Sequence, residues 1–373
     1  MTKTVDESLL EQDNYCNVAE WRNKGITGKN IHVWNCEDNS PKHGAITTRR
    51  IHDGAPDAIV YNAGIESSRS GDKINYVFVD YDGAKWDPEE FIKVHNIKVV
   101  SRSMKSAFAG ADTGEWRALW EGLQKKYGLI IFDSAGNEGF DERNHYEGYD
   151  IALTIGAVDL VRGKIKVANY SSVTDDVDFA DFTGVWSGTS FSCPYIAGKA
   201  ASILERYGDM SQTEMFKYLK MIAQDVHDPG EDNRTGWGIP ILPSFNKRYI
   251  TMTTKSVTYF VDGVAHKMDV KPINKEGNVF IPVRFVAEAL GAEVNWSKNK
   301  DKSINVYIDK DNTHIELKTG SDVAYVNGKK DILNFAPFIE NGRTFVPIRF
   351  IAEALNCKVD WIQNEAKVMI LEC

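Results

Sequence analysis

Beyond residue 247 the chain repeats itself 65 residues further on. Phe280-Ile281-Pro282-Val283-Arg284-Phe285-Val286-Ala287-Glu288-Ala289-Leu290 returns as Phe345-Val346-Pro347-Ile348-Arg349-Phe350-Ile351-Ala352-Glu353-Ala354-Leu355. Gly263, Pro272, Gly277, Val294 and Trp296 return as Gly328, Pro337, Gly342, Val359 and Trp361. Whatever one copy folds into, the other must fold into as well, so this half is a duplicated module. Each copy reads as a strand with a glycine turn, a short strand leading into a helix, and a strand pair around the tryptophan. This predicts a smaller α+β domain over 255–373, with repeats over about 257–320 and 322–373.

The first half has another rhythm. Residues 31–34, 58–61, 76–79, 99–100, 129–132 and 152–155 are short β-rich runs, and 115–127 and 193–207 are helical stretches. Strands alternating with helices imply an α/β fold, a largely parallel sheet with helices on both faces, over 28–246. Residues 1–27 form an extension ahead of it. A chain of 373 residues suits two such domains, and its 42% apolar share is that of a globular protein. The net charge of −9 argues against broad nucleic-acid or anionic-membrane binding, because neither phosphates nor headgroups are attracted. The start, Met1-Thr2-Lys3-Thr4-Val5-Asp6-Glu7-Ser8, holds no apolar run, and no later segment approaches the roughly 18 apolar residues of a membrane span. These features place the protein in the cytoplasm, or outside the cell or at its surface if a signal has been removed. Cys16, Cys36, Cys193, Cys357 and Cys373 are odd in number and scattered, which favours reduced thiols over a disulfide or zinc framework.

Chemistry enters at Gly188-Thr189-Ser190-Phe191-Ser192-Cys193-Pro194-Tyr195-Ile196-Ala197-Gly198. A serine after a glycine turn, ahead of a helix-forming run, lies beside the unpaired amides of a first helical turn, where developing negative charge is stabilised. Pro194 is expected in that turn, where its missing donor costs little. The segment resembles the serine segment of subtilisin-like serine proteases, Gly-Thr-Ser-Met-Ala-Ser-Pro-His-Val-Ala-Gly. A serine nucleophile needs a base, a group that orients the base, and oxyanion donors. The resemblance supplies them in family order. His43-Gly44, ahead of Ala55-Pro56, matches the base, and Asn137, in Ser134-Ala135-Gly136-Asn137-Glu138-Gly139, matches the oxyanion asparagine. Its side-chain amide would act with the backbone amide of Ser190.

The departure lies at the orienting acid. Ile31-His32-Val33-Trp34-Asn35 aligns with the strand that ends in the family's aspartate, which puts Asn35 in that place. An amide can hold an imidazole but cannot stabilise imidazolium as a carboxylate does, and that exchange costs about 10⁴ in turnover in a serine triad. Glu37, two residues on, projects from the same strand face. Asn35 as orienter, Glu37 as substitute and an inactive site stand in that order. In the groove, Val99-Val100-Ser101-Arg102-Ser103-Met104-Lys105-Ser106 matches the substrate-pairing strand, with Lys105 and Ser106 where the family has glycines. Ser103, Met104, Lys105, Ala135 and Gly136 are the expected substrate-binding positions, and side chains in place of glycines narrow the pocket. The resemblance, extended by Ile155-Gly156-Ala157-Val158-Asp159 and Thr235-Gly236-Trp237-Gly238-Ile239, covers about 25–245. It implies a serine endopeptidase acting on a protein or peptide, or else a pseudoprotease that keeps the groove. No cofactor is implied, and structural calcium stays open.

The duplicated half resembles the stalk-like domain named after the N-terminal region of copper amine oxidases. Copper itself is not expected: the half offers His266, His314, Cys357 and Cys373, none of them repeated between the copies, where copper needs clustered imidazole or sulfur. The repeated Arg284 and Arg349 could take a carboxylate. A module for recognition of a partner, spacing or assembly is the expectation.

Overall fold

Two helices, α1 (Val5–Tyr15) and α2 (Val18–Asn23), lead into the central strand β1 (His32–Cys36) and the helix α3 (Pro41–Gly54). There follow β2 (Ile59–Ser70), β3 (Lys73–Asp80), β4 (Lys85–Trp86), α4 (Pro88–Val94), β5 (Val99–Arg102), α5 (Thr113–Tyr127), β6 (Ile130–Ser134), β7 (Leu153–Val161), β8 (Lys164–Val167) and β9 (Val177–Phe182). The helices α6 (Thr189–Tyr207) and α7 (Gln212–Ile222) and the short pair β10 (Ala223–Gln224) and β11 (Ile239–Pro240) complete this part. The computed structural model describes residues 5–37, 41–70, 73–103, 113–139, 151–161, 163–173 and 175–373. It divides into two units, Met1–Phe245 and Asn246–Cys373.

The first unit is the expected α/β arrangement. Its sheet runs β4-β3-β2-β1-β5-β6-β7-β8, with β9 also beside β7. The pairs of β1 with β2 and β5, β5 with β6, β6 with β7, and β7 with β9 are parallel. The margins are antiparallel: the 76–79 run is one arm of a long hairpin in which Ala63 through Ser70 pair with Asp80 back to Lys73. Alternation along β1 divides the core. Trp34 and Cys36 face one side, with Phe91 and Ile92 of α4 and Trp120 and Leu123 of α5. Asn35 faces the other side and α3. There α3 lies against α6 so closely that a Cβ on Gly198 would stand 2.2 Å from the Ile51 carbonyl oxygen, so only glycine permits that crossing.

One local expectation is corrected. The helix of the serine segment begins at Thr189, not near Cys193, because Gly188 supplies the non-helical turn at φ 136°. Pro194 is therefore the sixth helical residue rather than part of the first turn, and the Ser190 carbonyl loses its i+4 donor.

The second unit contains β12 (Tyr249–Thr253), β13 (Thr258–Val261), β14 (Val264–Lys267), β15 (Ile273–Lys275), β16 (Asn278–Pro282), α8 (Val283–Ala289), β17 (Glu293–Lys298) and β18 (Ile304–Lys310). The same series returns as β19 (Thr313–Lys318), β20 (Val323–Val326), β21 (Lys329–Ile332), β22 (Phe338–Glu340), β23 (Arg343–Pro347), α9 (Ile348–Ala354), β24 (Cys357–Ile362) and β25 (Lys367–Glu372). The copies interleave. One five-stranded sheet is β14-β13-β12-β25-β24 and the other is β17-β18-β19-β20-β21, so each takes three strands from one copy and two from the other. Between them, β16 meets β23 with Phe280 opposite Pro347, Ile281 opposite Val346 and Pro282 opposite Phe345. Those pairs are related by a two-fold axis through Ile281 and Val346. A single core draws Ile250, Ile281, Val286 and Ile308 from the first copy and Ile315, Val346, Ile351 and Ile370 from the second.

Candidate active site

Ser190 is the second residue of α6 and half-buried, where first-turn amides lack helical acceptors. Its hydroxyl donates to the Ser103 carbonyl at 3.2 Å, which sets it against the end of the 99–103 strand segment. The neighbouring Cys193 is no competitor: burial pushes its thiol up to about 12, and it packs on Ser101 and the Arg102 carbonyl.

His43 stands in the first turns of α3 with its ring against Phe191. The group on its Nδ1 is the Glu37 carboxylate, with Oε2 at 2.6 Å. Glu37 is 1% exposed and continues β1 by one more ladder contact, its N–H toward the Ala63 carbonyl. Asn35, the first-ranked orienter, is placed elsewhere. Its amide nitrogen is 2.8 Å from Thr47 Oγ1, 2.7 Å from Asn62 Oδ1, 3.3 Å from Thr48 Oγ1 and 3.4 Å from the Gly44 carbonyl. The reason is a matched pair of rises. From residue 35 to 37 the strand climbs about 6.6 Å, and from residue 47 back to 43 the helix covers about 6 Å. Asn35 therefore lies level with Thr47, and Glu37 level with His43.

Asn137 follows β6 in a loop held from two sides. Gly139 N–H donates to the Tyr170 carbonyl, Ser172 N–H to the Gly136 carbonyl, and Asn137 N–H to Glu138 Oε2, which also accepts from Ser172 Oγ. The Asn137 side-chain oxygen accepts from Thr189 N–H at 2.8 Å and from Thr189 Oγ1 at 3.2 Å. An N–H can only donate, so this contact assigns the oxygen and turns the amide NH₂ the other way. Gly136 bonds Thr189 Oγ1 through its N–H, and Ala135 is buried with its N–H on the Ile155 carbonyl. The structure therefore gathers Ser190, Ser103, Ala135, Gly136 and Asn137 around the start of α6, and joins Glu37 to His43. Met104 and Lys105 lie outside the described residues.

Beneath the site a bidentate Arg102–Asp133 pair ties β5 to β6, its guanidinium 4.8 Å from the Trp120 ring centre. The sequence reading missed this buried pair; the signal was two opposite charges in otherwise apolar strands. It also missed the packing of the extension. Asp13 of α1 accepts from Tyr195 of α6 at 2.9 Å and from Arg22 at 3.0 Å.

His314 Nδ1 is 2.6 Å from Asp309 and its Nε2 3.3 Å from Glu316, His266 lies against the Tyr259 ring, and Cys357 is a buried free thiol. Among the described residues no group of three or more His, Cys, Asp and Glu side chains could hold a metal ion. No described helix is long and apolar enough to cross a membrane.

The Subtilase family profile matches residues 35–238, and the profile of the copper amine oxidase N-terminal domain matches 243–305 and 260–370. Fervidolysin of Fervidobacterium pennivorans is 23% identical over 193 residues, which cover 43% of this chain and 26% of the relative. Subtilisin DY of Bacillus licheniformis is 27% identical over 157 residues, covering 37% of this chain and 54% of the relative. An autotransporter lipoprotein, NalP of Neisseria meningitidis, is 42% identical over 150 residues, covering 31% and 14%. The chain thus spans little more than half the length of these curated relatives at most. Among solved structures, MycP1 from Mycobacterium smegmatis aligns with a TM-score of 0.46 at 18% identity, covering 62% of this chain and 82% of that one. A lanthipeptide protease aligns at 0.45 and 15%, covering 64% and 96%.

Proposed function

Because the chain belongs to the subtilase family, we propose that it is a serine endopeptidase that hydrolyses peptide bonds through an acyl-enzyme, with Glu37 in the orienting role. Ser190 Oγ attacks the scissile carbonyl as His43 Nε2 takes its proton. Glu37 holds Nδ1–H, which fixes the tautomer and balances the imidazolium that forms. The oxyanion is met by the Asn137 amide and the Ser190 backbone N–H. His43 then returns the proton to the leaving amine, and water repeats the sequence on the ester. The observation that carries this reading is the 2.6 Å contact between His43 Nδ1 and the buried Glu37 carboxylate. It supplies the charge that Asn35 lacks.

Three variants test the assignment. Ser190→Ala should abolish hydrolysis. Glu37→Gln should lower kcat by about 10³ to 10⁴. Asn35→Asp should bring no gain, because its carboxylate would face the Gly44 carbonyl and the Asn62 side-chain oxygen rather than the imidazole. A large gain in Asn35→Asp with Glu37→Gln near wild type would transfer the role to residue 35. One observation favours a pseudoprotease instead: the Ser190 hydroxyl spends its proton on the Ser103 carbonyl. Titration with an organophosphonate separates the readings, since an endopeptidase is labelled stoichiometrically at Ser190. The autotransporter relative supports an extracellular or cell-surface setting for this activity.

A further inference from the structure

We propose that the duplicated module binds the free C-terminal carboxylate of a peptide whose last residue is apolar, with Arg284 taking the carboxylate and a cleft beside Trp296 taking the side chain. The cleft has a volume of about 500 Å³, within the range of small-ligand sites. Phe285, Val294 and Val306 line it, and Trp296 and Ile339 stand at its mouth, 60% and 49% exposed. Two arginines reach it, but the Arg343 fork is engaged by Asp269. Arg284 is the available cation: its side chain is 59% exposed, and its ion contact with Glu288, at 3.7 Å, is beyond hydrogen-bond reach. A guanidinium fork with unspent donors matches a carboxylate bidentately, and an apolar cavity beside it selects the side chain that carboxylate ends.

The second copy provides an internal control. There the equivalent Arg349 donates to the Val359 carbonyl at 3.2 Å and to Glu353 at 3.3 Å. The equivalent Trp361 is half-buried, with its indole N–H on Gln363 at 2.6 Å. Lys298 stands where Gln363 would be in the first copy, so Trp296 has no such acceptor. Asn274 and Asn278 occupy the places of Ile339 and Arg343. The same arginine and tryptophan thus serve their own module in one copy and face a cavity in the other. Peptides with a new carboxyl end are what an endopeptidase releases. That origin of the ligand rests on the function proposed above; the binding does not.

The test uses the full chain carrying Ser190→Ala, so that hydrolysis does not enter, titrated calorimetrically with N-acetyl-Ala-Ala-Phe as free acid and as C-terminal amide. The free acid is expected to bind with a Kd on the order of 1 mM, and the amide at least about tenfold more weakly. Arg284→Gln should erase the difference, Trp296→Ala should weaken both ligands, and Arg349→Gln should bind like its parent. Equal binding of acid and amide, equal losses in Arg349→Gln and Arg284→Gln, or no binding of the acid at about 20 mM would each overturn the proposal. Phosphonate labelling of the wild-type protein reports separately on the peptidase reading.

Discussion

Single residues set the chemistry of the first unit, and some of them oppose its stability. Asp178 of β9 is the clearest case. Burial, with Glu231 and Asp176 nearby and against the pull of the Thr154 N–H, raises its carboxyl from 3.8 to about 7. The native state therefore keeps a proton between about pH 4 and 7 that the unfolded chain has released, and stability falls as pH rises through that window. Asp178→Asn retains an acceptor for Thr154 N–H, which Asp178 Oδ2 now receives at 2.8 Å. Thermal melts should show the variant gaining several degrees at pH 8 and little at pH 4. An equal shift at both values would mean that Asp178 titrates normally. That Ser190 opens a helix and that Asn137 lies in the loop after a strand were legible at this scale, because each lies in a local motif. Asn35 misled because alignment along one strand carries no information about which turn of α3 stands opposite it.

At the scale of elements, α1 bears on α6, the helix that carries Ser190. Besides the Asp13–Tyr195 bond, Gln12 Nε2 donates to the Gly184 carbonyl at 3.1 Å, and Arg22 reaches both Asp13 and the Asp53 carbonyl. Further on, Asn17 and Trp21 bond the carbonyls of Leu242 and Pro243. A detachable plug would release activity on removal. A packed element leaves the Tyr195 hydroxyl without Asp13, its buried acceptor, at a cost of about 1–3 kcal/mol, while Arg22 keeps the Asp53 carbonyl. Deletion of residues 1–17 should accordingly lower the melting temperature and the turnover of a small peptide together. Higher turnover in the truncated chain would favour the plug. The sequence could not settle this, because the bonds span separations such as 182 and 225 residues.

For the whole molecule, interleaving makes the two copies of the C-terminal module mutually necessary. A chain ending at residue 320 would lose β20 through β25, leaving β12 without its partner strand β25 and β16 without β23. It should retain a folded first unit and a disordered remainder, visible as one dispersed and one collapsed set of amide resonances. A chain ending at residue 245 should lose the second set cleanly. Independent folding of residues 246–320 would show that one copy suffices. The start of the first copy escaped the sequence comparison for a related reason. β12 and its equivalent β19 share alternating apolar positions, Ile250 and Met252 against Ile315 and Leu317, with little identity around them.

The sequence by itself determined the kinds of elements, the duplication, the serine segment at a helix start and the loop of Asn137 after β6. Each of these is written in neighbouring residues, as periodicity, glycine position or repeated text. The tertiary structure alone decided that Glu37 rather than Asn35 meets His43, that Arg102 pairs with Asp133, and that each sheet of the second unit draws strands from both copies. Those outcomes depend on how far one element has risen when another passes it. That quantity is set by packing across the sheet and lies outside any single stretch of chain.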